Sequence, residues 1–224
     1  MGLWRRIVAR TPRFSLDATV ESMHLGTTYG GYAVVPAALS ADSIVYSFGV
    51  GEDASFDLAL IDSIGATVHA FDPTPRSQAW VSAQTWPDRF HFHPLGVAGA
   101  DGTLTLHAPP DPTHVSFSPV ARKGSDEAVE VPVRTVRSLM EQLDHDRVDL
   151  IKADIEGAEY DVIADLLAHG PRPGQLLLEF HHHLPTIALS RTKKAIADLR
   201  AAGYQLFDQS EAGAEMSFVH RDVL

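Results

Sequence analysis

The sequence predicts a Rossmann-like α/β fold: a mainly parallel sheet, covered by helices and closed by a C-terminal antiparallel hairpin. Three observations carry this expectation. Short apolar, β-branched runs alternate with segments of helical periodicity. The links between them are short, as in successive βαβ units. After Gly203, YQLFD and AEMSFVH are strand-like runs joined by a polar link too short for a crossover helix, so they must run antiparallel.

Residues 1–40 are punctuated by Gly26, Gly30, Gly31 and Pro36 and read as an irregular N-terminal arm or lid, with the domain proper over 41–224. SIVYSF, ended by Gly49, is the first strand, and Phe56, Leu60 and Ile64 then recur at helical spacing. ATVHAF is the second strand. Pro75 opens the next helix, where its missing N–H costs nothing. RFHFHPLGV, residues 89–97, reads as a third strand.

The rhythm then breaks. DGTLTLH, a Pro- and Ser-rich stretch and AVEVPV read as a β-excursion with an inserted loop near 108–128, the expected substrate side of the domain. Alternation resumes with VDLIKADI, a helix from about Ala158 to Ala168, GQLLLEF, and a helix near 190–202 that Gly203 ends.

With 224 residues, 45% of them hydrophobic, the chain can bury the core of one large domain. A formal charge of −11 argues against a nucleic-acid partner, which needs clustered Lys and Arg. The absence of Cys excludes disulfides, thiolate nucleophiles and Cys-type zinc sites. No apolar run approaches the roughly 18 residues of a membrane span, so no membrane partner and a cytoplasmic location are the default expectation.

Four stretches carry candidate chemistry. In SFGVGED, Gly49 and Gly51 let backbone approach a ligand at a helix N-terminus, with Glu52 beside them; the bland reading is a tight turn. About twenty residues on, Asp72 stands where a carboxylate can accept both hydroxyls of a ribose, or merely cap the turn before Pro73. IKADIEGAEYDVI delivers Asp154, Glu156 and Glu159 to a strand end, where they could hold an amino group, position a hydroxyl or bind a cation such as Mg²⁺. Glu159 and Asp161 could equally serve only the dipole of the next helix. LLLEFHHH ends a strand in Glu179 followed by His181, His182 and His183; a neutral His beside a carboxylate is a sensible general base, although two of the three could be exposed loop residues.

Together, YSFGVGEDASFD, VHAFDPTP, GVAGADGTLTL, VPVRTVRSL, LIKADIEGAEYDVI and LLLEFHHH resemble the FkbM family of S-adenosylmethionine-dependent methyltransferases over roughly residues 43–220. The terminal hairpin is similar to that of the wider class I methyltransferases. The resemblance implies O-methylation of a small-molecule hydroxyl, on a secondary metabolite, sugar or polyketide. It implies that Gly49, Gly51 and Asp72 belong to the S-adenosylmethionine site, with Glu52 and Asp154 adjoining it. Asp154, Glu156, Glu179 and His181 would then line the reaction pocket. Many relatives carry Glu where Asp72 stands, and a Ser-rich loop where HVSFSPVARKG stands, so His114, Ser116 and Ser118 are candidates to face the acceptor, the alternative reading being a disordered surface loop.

Two further readings compete. One is a metal-dependent hydrolase or lyase using Asp154, Glu156, Glu179 and the His181–His183 cluster; no HExxH motif supports it. The other is a non-catalytic module that retains the fold to bind a nucleotide-like ligand or a partner. The sequence assigns no metal ligand set, does not identify the acceptor and leaves oligomeric state open, a homodimer being one option. Every site assignment requires the Gly49–Gly51 loop, Asp72 and the acids from Asp154 onward to lie on one edge of the sheet.

Overall fold

Residues 12–28, 30–109, 116–120, 127–184 and 186–224 are described by a computed structural model. In chain order the elements are β1 (Met23–Leu25), β2 (Tyr32–Val34), β3 (Ile44–Phe48), α1 (Ser55–Ile64), β4 (Thr67–Phe71), α2 (Pro75–Ser82), β5 (Phe90–His93), β6 (Gly96–Val97), β7 (Gly102–His107) and β8 (Ala128–Arg134). They continue with α3 (Val136–Leu143), β9 (Leu150–Ala153), α4 (Glu159–His169), β10 (Gln175–Glu179), α5 (Leu189–Ala201), β11 (Tyr204–Gln209) and β12 (Glu215–His220).

Seven strands form the main sheet in the order β11-β12-β10-β9-β3-β4-β5. β3 pairs in parallel with both β4 and β9, and β10 continues the parallel set. β12 runs antiparallel to both β10 and β11, which is the expected closing hairpin. The chain moves outward from β3 to β5 and then returns to β9 on the other side of β3. This reversal creates a crevice at the C-terminal ends of β3 and β9, where open α/β sheets bind ligands.

The strands are continuously apolar because helices cover both faces. Tyr46, Phe48, Ile151, Leu176, Leu178 and Phe218 face the layer that holds α3, α4 and α5. Val45, Val68, Ala70, Leu150 and Leu177 face α1, α2 and the β1–β2 hairpin. Each fully buried Leu, such as Leu60 or Leu176, contributes roughly 1.5–3 kcal/mol relative to exposure.

Three local expectations change. The N-terminal arm is not wholly irregular: β1 and β2 pair antiparallel, and the buried Gln175 side chain exchanges two hydrogen bonds with the Val35 backbone, at 2.7 and 3.0 Å. These bonds satisfy both amide ends of Gln175 and tie the arm to β10. The run at 89–97 is two strands in different sheets, divided at Pro94, which lacks the N–H a continuing ladder would need. The β-excursion is a separate sheet of order β6-β8-β7, followed by α3, whose N-cap Thr135 accepts the Ser138 N–H at 3.1 Å. No helix among the described residues is long and apolar enough to cross a membrane.

Candidate active site

The sharp turn after β3 is built on glycine. Gly49 has φ +84°, and a Cβ there would lie 1.8 Å from the Asp154 carbonyl oxygen, so only glycine permits this approach of two backbones. Asp154 N–H donates to the Phe48 carbonyl at 3.1 Å, and Gly49 N–H to that of Phe71 at 3.0 Å. The glycine loop, the end of β4 and the acidic end of β9 therefore meet on one edge of the sheet. A cavity of about 730 Å³ opens over them, within the size range of small-molecule sites.

Gly49, Gly51, Glu52, Asp72, Asp154, Glu156 and Glu179 all line this cavity. Asp72 is bound inward. Its Oδ2 accepts the Val50 and Gly51 amides at 3.0 and 2.9 Å, and its Oδ1 accepts the Thr74 amide and hydroxyl at 2.9 and 2.6 Å. Four bonds occupy the four acceptor directions of the carboxylate, so a ribose hydroxyl would have to share an oxygen with one of them. Glu52 lies at the mouth, paired with Arg76 at 2.8 Å.

Beyond β9 the acids converge on one imidazole. His181 is 2% exposed, and its Nδ1 lies 2.8 Å from Glu159 Oε1. A carboxylate only accepts, so the proton on this bond sits on Nδ1. Nε2 faces Glu156, Asp154 and Glu179 at 3.6, 3.7 and 3.8 Å. Burial opposes a charged imidazole, yet the Glu159 carboxylate, with Glu156 and Glu179 behind it, raises the His181 pKa well above its usual value. Burial also pushes the Glu179 carboxyl up to about 9, aided by the neighbouring charge of Asp154.

The other two histidines of the run have different surroundings. His182 Nδ1 lies 3.3 Å from the Thr192 hydroxyl, and the His183 ring packs against His181. Ser116 lines the cavity, whereas the Ser118 hydroxyl donates to the Glu156 carbonyl at 2.7 Å and braces that turn. His114 lies outside the described residues.

Two residues matter more than their sequence signal suggested. Glu159, fully buried, folds back from the first turn of α4 to accept the Ile155 and Gly157 amides at 3.1 Å as well as His181. Asp161, by contrast, is an exposed partner of Arg191. Lys152 is buried in β9 and donates to the Gly49 carbonyl at 2.6 Å. It also lowers the pKa of Asp57, which burial pushes up to about 6. A lysine inside the apolar run LIKA gives little warning of this role. Away from the acids the cavity wall is apolar, formed by Leu104, Leu106, Val131 and Val133 of the small sheet with Phe117.

The sequence model of the Methyltransferase FkbM domain matches residues 21–206. "Probable methyltransferase-like protein 24" of Rattus norvegicus is 27% identical over 155 residues, 68% of this chain and 36% of that protein. Its Homo sapiens counterpart is 26% identical over the same shares. The chain thus matches about a third of the length of these curated relatives. The crystal structure of methyltransferase FkbM from Methylobacillus flagellatus superposes with a TM-score of 0.49 at 14% identity, covering 83% of this chain and 48% of that one.

Proposed function

Because the chain belongs to the Methyltransferase FkbM domain family, we propose that its cavity binds S-adenosylmethionine and transfers the methyl group to a hydroxyl of a small molecule. The observation that carries this reading is the backbone contact between Gly49 and Asp154, which puts a donor loop and an acid cluster in one cavity. Family membership leaves the hydrolase or lyase reading without support.

In this reading the donor lies over the Gly49–Gly51 turn. Asp72 holds that turn in shape, and a ribose hydroxyl would share one of its oxygens with a loop donor. The acceptor hydroxyl approaches from the side of Asp154, Glu156, Glu179 and His181. Its oxygen attacks the methyl carbon in line with the carbon–sulfur bond. The bonding pair leaves to sulfur, giving S-adenosylhomocysteine, and the hydroxyl proton passes to the acid–imidazole cluster. Most of the acceleration would come from alignment, which a preformed cavity supplies. The Leu104, Leu106, Val131 and Val133 wall favours a ligand with an apolar face.

Calorimetry with S-adenosylhomocysteine tests the donor assignment: saturable binding at one site per chain is expected, weakened at least tenfold by Gly51→Val. Absence of binding at millimolar ligand by a folded protein would overturn it. Mass-spectrometric screening of hydroxylated acceptors for a 14 Da gain tests the chemistry, and methylation confined to nitrogen or carbon would replace the O-methyl reading.

A further inference from the structure

We propose that His181, Asp154 and Glu156, with Glu179 beside them, form a binding site for one divalent first-row transition-metal ion at the acceptor end of the cavity. One donor atom from each of Asp154, Glu156 and His181 lies within 4.8 Å of the other two. The distances from His181 Nε2 to the carboxylate oxygens, 3.6–3.8 Å, are too long for hydrogen bonds. They fit atoms grouped around a common ion, since metal–ligand bonds of about 2.0–2.2 Å leave neighbouring donors roughly 3–4 Å apart.

The second observation is the support behind the imidazole. His181 is almost wholly buried, and its Nδ1–H is fixed by Glu159, a carboxylate itself held by the Ile155 and Gly157 amides. Nε2, aimed at the acids, hydrogen-bonds to none of them. A carboxylate that orients a histidine through its far nitrogen is the usual arrangement behind a metal-ligating imidazole. Glu156 is also held at φ +55°, unusual for a residue with a side chain, with Ser118 bracing its carbonyl.

The nitrogen ligand sets the class of ion. Mg²⁺ prefers an all-oxygen octahedron, whereas one imidazole among carboxylates suits Mn²⁺ or Fe²⁺. The role of the ion rests on the methyl-transfer reading: at this position it would polarise the acceptor hydroxyl and favour loss of its proton.

The test uses chelator-treated full-length protein and Mn²⁺ as probe. Electron paramagnetic resonance is expected to show one bound Mn²⁺ per chain, with a nitrogen coupling from an imidazole ligand. His181→Gln should abolish that coupling, Glu156→Gln should weaken Mn²⁺ binding at least tenfold, and Glu159→Gln should weaken it about 10–100-fold by releasing the imidazole it orients. Circular dichroism confirms that each variant is folded, and the more exposed Glu156 serves if His181→Gln is not. No bound Mn²⁺ at millimolar concentration, bound Mn²⁺ without nitrogen coupling, or unchanged affinity in folded Glu156→Gln would each overturn the proposal. S-adenosylhomocysteine binding measured in chelator separates the two readings: donor binding without Mn²⁺ binding removes the ion alone, and Mn²⁺ binding without donor binding removes the donor assignment alone.

Discussion

Asp72 Oδ2 accepts the amide of Gly51 at 2.9 Å, so the carboxylate ending β4 is a structural strut of the loop that ends β3. The same oxygen takes the Val50 amide, and the other oxygen holds Thr74. Asp72→Ala leaves several amides without acceptors at about 1–3 kcal/mol for each one that stays buried. We expect a stability loss of roughly 2–4 kcal/mol by denaturant titration and loss of S-adenosylhomocysteine binding. Asp72→Asn, which keeps one carbonyl oxygen, should lose less of both. A stable Asp72→Ala protein deficient only in ligand binding would return Asp72 to a pure ribose contact.

Gly49→Ala should be far more harmful than Gly65→Ala, although both residues have similar positive φ, +84° and +79°. At Gly65, the cap of α1, an added Cβ meets only the Ala41 methyl at 3.4 Å, leaving the left-handed strain of roughly 1–2 kcal/mol. At Gly49 it strikes the Asp154 carbonyl, and the two strand ends must separate. Thermal melting should place Gly49→Ala at least 3 kcal/mol below wild type, a large value even for core substitutions.

The glycine turn, the acidic strand end and the closing hairpin were legible because local spacing encodes them: a strand, then residues that tolerate close backbone approach, then a helix. What could not be read is what depends on a side chain turning back through space. Glu159 has the same helix-start signature as Asp161, yet one is buried under His181 and the other is a surface partner of Arg191. Asp72 stands where the spacing leads one to expect a ribose-binding carboxylate, but its saturation by loop amides and the Thr74 hydroxyl depends on a backbone path that sequence spacing does not define. The split at Pro94 was missed because apolar character continues through Leu95 and Val97 while the chain changes sheets.

A pH effect follows from a histidine cluster away from the cavity's acids. His69 Nδ1 lies 3.0 Å from His93 Nε2, the His69 ring packs against His91 and His145, and the Tyr46 hydroxyl lies 2.8 Å from His145 Nδ1. Burial, reinforced by the neighbouring imidazoles, lowers the His69 pKa to about 3; His93 and His145 are lowered too, although Asp144 and Asp146 pull His145 the other way. The unfolded chain binds these protons below about pH 6.5 and the folded protein does not. Stability is therefore complete above that pH and falls as the pH drops toward 3, by roughly 1–2 kcal/mol between pH 7 and 5.5. Asp57, pushed up to about 6, acts in the opposite sense. The decisive comparison is thus with His69→Phe, whose unfolding free energy should depend less on pH over this window. Parallel wild-type and variant profiles would exclude the cluster as the cause.

Lys152 and Asp57 lie under the Gly49–Gly51 loop as a buried cation and acid, and neither is expendable alone. Lys152→Met removes the hydrogen bond to the Gly49 carbonyl and the charge that lowers the Asp57 pKa. Asp57 then stays buried at 2% exposure with one oxygen already unpartnered, so it must protonate or draw in water. Breaking a buried charge relationship from one side costs about 3–5 kcal/mol, whereas replacing both members costs much less. Lys152→Met should accordingly be strongly destabilising near pH 7.5 and less so near pH 5, where Asp57 is neutral in either protein. Adding Asp57→Asn should recover roughly 1–3 kcal/mol of the loss, as a double-mutant cycle would measure. Strictly additive losses would mean that the two groups do not sense each other and that Lys152 acts only through the Gly49 carbonyl.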